Sequence, residues 1–175
     1  MRTAASKLMS STTATECIRS WQEAGECVVM SNGTFDLLHA GHTGYLEWAR
    51  QQGDRLVLGL NSDASIQRIK GPKRPLVEGQ YRAALLCALE CVDAVIFFDE
   101  DEPKELISQL LPNILVKAAD WSHYVSGAEI VEANGGEVRI APMTEGLSTS
   151  TLLDKICRIF TGQPAQLDPQ KQRSS

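Results

Sequence analysis

A chain of 175 residues with 43% hydrophobic content has the size and apolar fraction of one domain with a packed core. Its formal charge of −5 argues against an electrostatically driven grip on nucleic acid or on an acidic membrane, so an anionic ligand must be met by local positive charge. The five cysteines contain no CxxC pair and no Cys/His cluster has zinc-ligand spacing, while no apolar run is long enough to span a bilayer; reduced thiols, no metal site and a cytoplasmic location are expected.

Residues 1–13 are rich in Ser, Thr and Ala and read as a flexible N-terminal segment. Cys17, Ile18, Trp21 and Ala24 then recur at helical spacing, and Gly25 marks the stop. Residues 27–30 (CVVM) form a short buried strand, and a helix over 43–52 packs Tyr45, Leu46, Trp48 and Ala49. The pattern repeats with a strand at 56–60, a helix capped by Ser62 or Asp63 and running to Ile69, and a helix over 78–92 that places Cys87 and Cys91 on one face. A strand at 94–98 precedes a helix that starts near Pro103 and carries Leu106, Ile107, Leu110 and Leu111. A strand at 114–116, a helix at 128–133, a strand at 137–140 and a last helix bearing Leu152, Leu153, Ile156, Ile159 and Phe160 complete the ordered part. Residues 161–175 read as a disordered polar tail.

Parallel neighbours need crossover connections, so short apolar strands separated by helices predict a parallel sheet covered on both faces. The expectation is a single α/β domain over 14–160, a doubly wound, Rossmann-like five-stranded parallel sheet with helices on both faces. Ligands of such sheets sit beyond the carboxyl ends of the strands at the switch point, where residues 33–42 fall if the first strand is central.

The most informative stretch, SNGTFDLLHAGH over 31–42, runs from that strand through a turn into a helix. N–H groups at a helix start hold anionic oxygens, glycine lets backbone approach a ligand, and His39 and His42, three apart, can present two imidazoles to one phosphate. Neither GxGxxG nor GxxxxGK[ST] is present at this turn, which removes support for hydride transfer and for P-loop hydrolysis there. Lys70, Lys73 and Arg74 concentrate cations between Gly71, Pro72 and Pro75, in a loop able to close over phosphates. Thr144 and Ser148, Thr149 and Ser150 cluster hydroxyls before the last helix. Asp120 follows the fourth strand and can accept a hydrogen bond from a sugar hydroxyl. The acidic run 99–102 reads as solvated capping of the helix behind Pro103, and His123 as a surface residue.

The HxGH turn resembles the HxGH nucleotidyltransferases, whose histidines stabilise charge on the α-phosphate of a nucleoside triphosphate while a substrate oxygen displaces pyrophosphate. Taken together, SNGTFDLLHAGH, NSDAS, RIKGPKRP, ALECVD, LVKAADW, EANGGEV and EGLSTS resemble the D-glycero-β-D-manno-heptose 1-phosphate adenylyltransferases of this cytidylyltransferase-like superfamily. That resemblance implies transfer of AMP from ATP to a heptose 1-phosphate, giving ADP-heptose and pyrophosphate for lipopolysaccharide core synthesis, with Mg2+ on the phosphates. It implies His39, His42 and Lys70 as catalytic, with Gly33, Thr34, Phe35, Asp120, Ser148, Thr149 and Ser150 around the nucleotide and Asp36 and Arg82 on the sugar-phosphate side. It further suggests a homo-oligomer, and a stand-alone transferase that works after a separate sugar kinase and phosphatase. Two departures bear on specificity: relatives carry Lys-Gly-Gly-Asp where this chain has Lys117-Ala118-Ala119-Asp120, and Met143 replaces an Arg usual in cytidylyltransferases. The alternatives are a cytidylyltransferase acting on glycerol or ethanolamine phosphate, and a non-catalytic nucleotide-binding subunit.

Overall fold

The computed structural model describes residues 3–119, 124–142 and 148–165. Within them the strands are β1 (Leu8–Met9), β2 (Val28–Gly33), β3 (Arg55–Asn61), β4 (Ala94–Phe98), β5 (Ile114–Ala118) and β6 (Glu137–Ala141). The helices are α1 (Ser11–Glu23), α2 (Ala40–Arg50), α3 (Asp63–Lys70), α4 (Gly79–Ala88), α5 (Lys104–Leu110), α6 (Ala128–Ala133) and α7 (Thr149–Thr161). All strands pair in parallel in the order β1-β4-β3-β2-β5-β6. The chain builds outward from β2 through β3 to β4, then returns to pair β5 on the other side of β2. The switch point therefore lies between β2 and β5, and the strand ending in Gly33 is central.

Alternation along each strand sorts the core into two layers. Val29, Leu56, Leu58, Leu60, Val95 and Val116 face α2 and α4, where Leu46, Ala49, Ala83 and Leu86 are buried. Val28, Met30, Val57, Ile96 and Leu115 face the other way, against Ala14 and Ile18 of α1, Leu106, Ile107 and Leu110 of α5, and Val131 of α6. Strands buried on both faces need near-continuous apolar runs, which explains the sequences of β2 to β5.

Six strands stand where five were expected. Leu8 and Met9 pair with Val95 and Ile96 at the sheet edge, in the segment read as flexible. A strand of two residues has no periodicity to detect; its place is fixed by neighbours instead. Lys7 Nζ donates to the Leu89 carbonyl at 2.8 Å, and Ser10 caps α1 by accepting the Thr13 N–H. The helix expected over 78–92 stops at Ala88, so Cys91 lies beyond it. At the other end α7 continues through Thr161, and the tail expectation beyond residue 165 lies outside the described residues. Among the described residues no helix is long and apolar enough to cross a membrane.

Candidate functional site

At the carboxyl end of β2 the chain leaves the sheet at Gly33 and enters α2 at Ala40. Phe35 takes a left-handed φ of 43° and its ring folds back over the strand end, where a Cβ on Gly33 would approach it to 3.2 Å. Glycine at 33 is thus favoured by the close approach of that ring, not by its own φ. The Phe35 ring lies 5.5 Å from the His42 ring, and the rings of His39 and His42 are 3.9 Å apart. His39 is the N-cap of α2, whose first residue, Ala40, stands three positions before the predicted start at 43, and the His39 backbone N–H donates to His42 Nδ1 at 3.4 Å. That bond uses Nδ1 as an acceptor, so a neutral His42 carries its proton on Nε2 and presents it as a donor. His39 Nδ1 is buried with no partner among the described residues. Two imidazoles and the first-turn N–H groups of α2 thus converge where the helix dipole favours an anion.

Burial, then the neighbouring His39, then Lys70 push the His42 imidazole down to about 4. Burial lowers His39 as well. Both rings are neutral at neutral pH, and a triphosphate placed between them would reverse the sign of the local field.

Lys70 reaches the same place from α3, its Nζ donating to Thr34 Oγ1 at 3.2 Å. Gly71, at φ 93°, ends that helix and turns the chain into the basic loop. Thr34, Phe35, His39, His42 and Lys70 are therefore brought together at the carboxyl end of β2. Asp36 and Arg82, expected on the sugar-phosphate side, are both buried and bonded to protein partners. Asp36 is 3% exposed, and its carboxylate accepts from the guanidinium of Arg74 and the N–H groups of Leu76 and Val77. Arg82 is 1% exposed and donates to the carbonyls of Thr34, Asn61 and Val77 and to Asp63. Its guanidinium ties the ends of β2 and β3 to the start of α4, because a buried charge is tolerated only when its donors are used.

Ser148 is the N-cap of α7, accepting the Thr151 N–H at 3.1 Å; Thr149 is buried and Ser150 half-buried in the first turn. Asp120, Thr144 and His123 lie outside the described residues. Neither Ala118, the last residue of β5, nor Ala119 adopts a positive φ, so the Gly-to-Ala departures carry no backbone strain. The acidic run does more than cap a helix. Asp99 accepts from Ser62, Arg68 pairs with Asp99 and Asp101, and Glu102 accepts from Tyr124 and Ser126. All five cysteines are free, and burial raises the thiols of Cys27, Cys87 and Cys91, which removes them as thiolate nucleophiles.

One contributor escaped the sequence reading. Its position on the apolar face of α2 marks Tyr45 for packing, yet its hydroxyl donates to the Val116 carbonyl at 3.1 Å and meets Ser31 Oγ at 2.7 Å. It bridges β2 and β5 at the switch point, one helical turn after His42. A tyrosine on the apolar face of a helix that follows a site turn was the available signal.

The paired histidines thus stand at a helix start beyond the central strand of a doubly wound parallel sheet. The sequence profile of the cytidylyltransferase-like family matches residues 30–156, and the chain belongs to that family. It is 46% identical over 159 residues to the bifunctional protein HldE of Trichlorobacter lovleyi, covering 90% of this chain and 32% of that protein. It is 53% identical over 133 residues to HldE of Syntrophotalea carbinolica, covering 75% of this chain and 27% of that protein. The chain spans about a third of the length of these curated relatives. Among solved structures it resembles a lipopolysaccharide core biosynthesis protein from Thermoplasma volcanium, with TM-score 0.58 and 26% identity over 70% of this chain and 100% of that one. Pantoate-beta-alanine ligase from Francisella tularensis shares the fold at 13% identity and TM-score 0.60, over 83% of this chain and 72% of that one.

Proposed function

We propose that this chain is an adenylyltransferase that joins ATP to a heptose 1-phosphate, forming ADP-heptose and pyrophosphate. The observation that carries the reading is the His39–His42 pair, with ring centroids 3.9 Å apart at the N-terminus of α2. Relatives named HldE and a neighbour named for lipopolysaccharide core biosynthesis support the choice of substrate. A phosphate oxygen of the sugar attacks the α-phosphorus, the bond to the β-phosphate oxygen breaks, and pyrophosphate leaves with the electron pair. The attacking oxygen is already anionic, so positioning and charge stabilisation supply most of the acceleration and no strong base is needed.

His42 Nε2 and His39 donate to the oxygens on which charge grows, and Lys70 neutralises the departing phosphates. Gly33, Thr34 and Phe35 form the backbone wall of the triphosphate site, with the first turn of α7 at Ser148 to Ser150 and Asp120 completing the nucleotide contacts. Mg2+ fits this donor set as an ion carried by the triphosphate. Among the described residues no group of three or more His, Cys, Asp or Glu converges to form a protein cage, and the buried Asp36 carboxylate is taken by Arg74 and two amides. When bound, the ion would offset phosphate charge.

The sugar 1-phosphate would come from a kinase and a phosphatase acting beforehand, and a homo-oligomer belongs to the same reading. The assay is pyrophosphate release with Mg2+ and either ATP or CTP, against heptose 1-phosphate, glycerol phosphate and ethanolamine phosphate. Turnover with ATP and the heptose is expected. Turnover with CTP alone would replace the reading with a cytidylyltransferase, and nucleotide binding without turnover would make the chain a binding subunit.

A further inference from the structure

Asp36 is a buried carboxylate in the middle of the HxGH turn, yet all three of its donors come from the far end of the basic loop. Oδ2 accepts from Arg74 Nη1 at 2.7 Å; Oδ1 accepts from the Leu76 N–H at 2.7 Å and the Val77 N–H at 2.9 Å. These partners lie 38 to 41 positions along the chain, so the contact is tertiary and joins two separate segments. The Arg74 side chain is only 15% exposed, which aims its charge inward at Asp36 and not at the loop's open face. The near end of the loop is tied to the same turn, through Lys70 Nζ and Thr34 Oγ1. Between these two ties Gly71 reverses the chain and the Arg74 N–H donates to the Gly71 carbonyl at 3.1 Å, closing a tight turn. Lys70 and Arg74 therefore grip the two residues that flank Phe35, the residue whose ring packs on His42.

We propose that Asp36 and Arg74 form a strap that holds the basic loop against the HxGH turn and so fixes where Lys70 stands relative to His42. Both are positioning residues, and neither touches substrate. Arg74, though it lies in a cationic loop, is committed to a carboxylate by a charge-assisted bond and is not available as a phosphate ligand. The strap explains why an acidic side chain sits within a site otherwise arranged for anions: buried under the loop and matched by three donors, it places positive charge nearby without presenting its own.

The role in catalysis rests on the function proposed above, whereas the strap itself is testable without turnover. Asp36→Asn, Arg74→Gln and the double variant would be compared in two measurements. The first is limited trypsin digestion of the ligand-free protein, reading cleavage at the Lys70–Gly71 bond. Each variant is expected to be cut at least about tenfold faster than the parent, because opening of the loop exposes that bond. The second is ATP binding and pyrophosphate release, read as a cycle. The two single changes should weaken ATP binding by a similar factor, and the double variant should be no worse than the weaker single one, since either change alone releases the loop. Should Asp36→Asn fail to fold, Arg74→Gln, at the edge of the loop, carries the digestion test alone. Cleavage of folded Arg74→Gln at the parental rate would overturn the strap. Losses that add in the double variant, with Arg74→Gln the more severe, would make Arg74 a phosphate ligand instead. A parent that neither binds nor turns over ATP would remove the proposed function while leaving the digestion result to decide the strap.

Discussion

The amino and carboxyl ends of the same parallel sheet are built in opposite ways. At the amino end Arg55 pairs with Glu26 at 2.5 Å and with Asp93 at 3.2 Å while its guanidinium lies over the Trp21 ring. Asp54 accepts the Cys27 N–H, Asp93 the Leu56 N–H, and Asn113 the Val28 N–H, so the strands begin with their backbone groups engaged. At the carboxyl end Asn32 Oδ1 and His39 Nδ1 are buried without partners among the described residues, Phe35 is held at a positive φ, and two imidazoles crowd each other. Unsatisfied buried polar atoms cost stability, and they cluster where a ligand completes the structure. The comparison teaches that one end secures the fold and the other spends part of that security on a site.

The comparison breaks if changes at the two ends have the same consequences. The largest expected effect is on rate: His42→Ala should leave the circular dichroism spectrum of the fold unchanged while pyrophosphate release falls at least about a hundredfold, as loss of a transition-state donor can. Near-parental turnover would refute the role of the pair. Next is a pH effect on stability. The His42 imidazole sits near 4 in the folded protein against its ordinary 6.5, so the unfolded chain takes up a proton that the folded chain refuses. The stability tied to His42 is full above about 6.5 and is lost as pH falls toward 4, by at most about 3 kcal/mol. Denaturant melts should show the parent losing stability relative to His42→Gln as pH falls across that window; a constant difference would contradict the burial of the ring.

At the amino end Asp93→Ala should cost about 2 kcal/mol of stability, because it strips a carboxylate from Arg55 and leaves the Leu56 N–H without its acceptor. Measured well below the melting temperature, its KM for ATP should stay parental; a large rise in KM would erase the division between the ends. The smallest effect is expected from Ser148→Ala, about 1 kcal/mol as loss of a helix cap. Its ATP affinity should fall as well, in keeping with the nucleotide contact proposed for Ser148; parental affinity would leave the hydroxyl as a cap alone.

Sequence reading reached the carboxyl end further than the amino end. Histidines three apart at a helix start, a lysine closing α3 and a central strand ending in Asn-Gly are local patterns, and the structure brings them together at the switch point. The edge strand Leu8–Met9 and the Arg55–Asp93–Glu26 network were invisible because they depend on partners far along the chain, with no period or motif to announce them. The resemblance puts Asp36 and Arg82 on the sugar-phosphate side, but whether a charged side chain faces ligand or is spent on neighbouring backbone depends on burial, which spacing does not encode.

The most direct test of the central claim is an NMR titration of the His39 and His42 imidazoles, assigned with His→Gln variants, with and without Mg-ATP. The pair is expected to shift on binding, and His42 should move up from about 4 because the triphosphate favours its protonated form. ATP that binds while both imidazoles keep their shifts and their titration would place the nucleotide elsewhere and contradict the assignment of this turn as the triphosphate site.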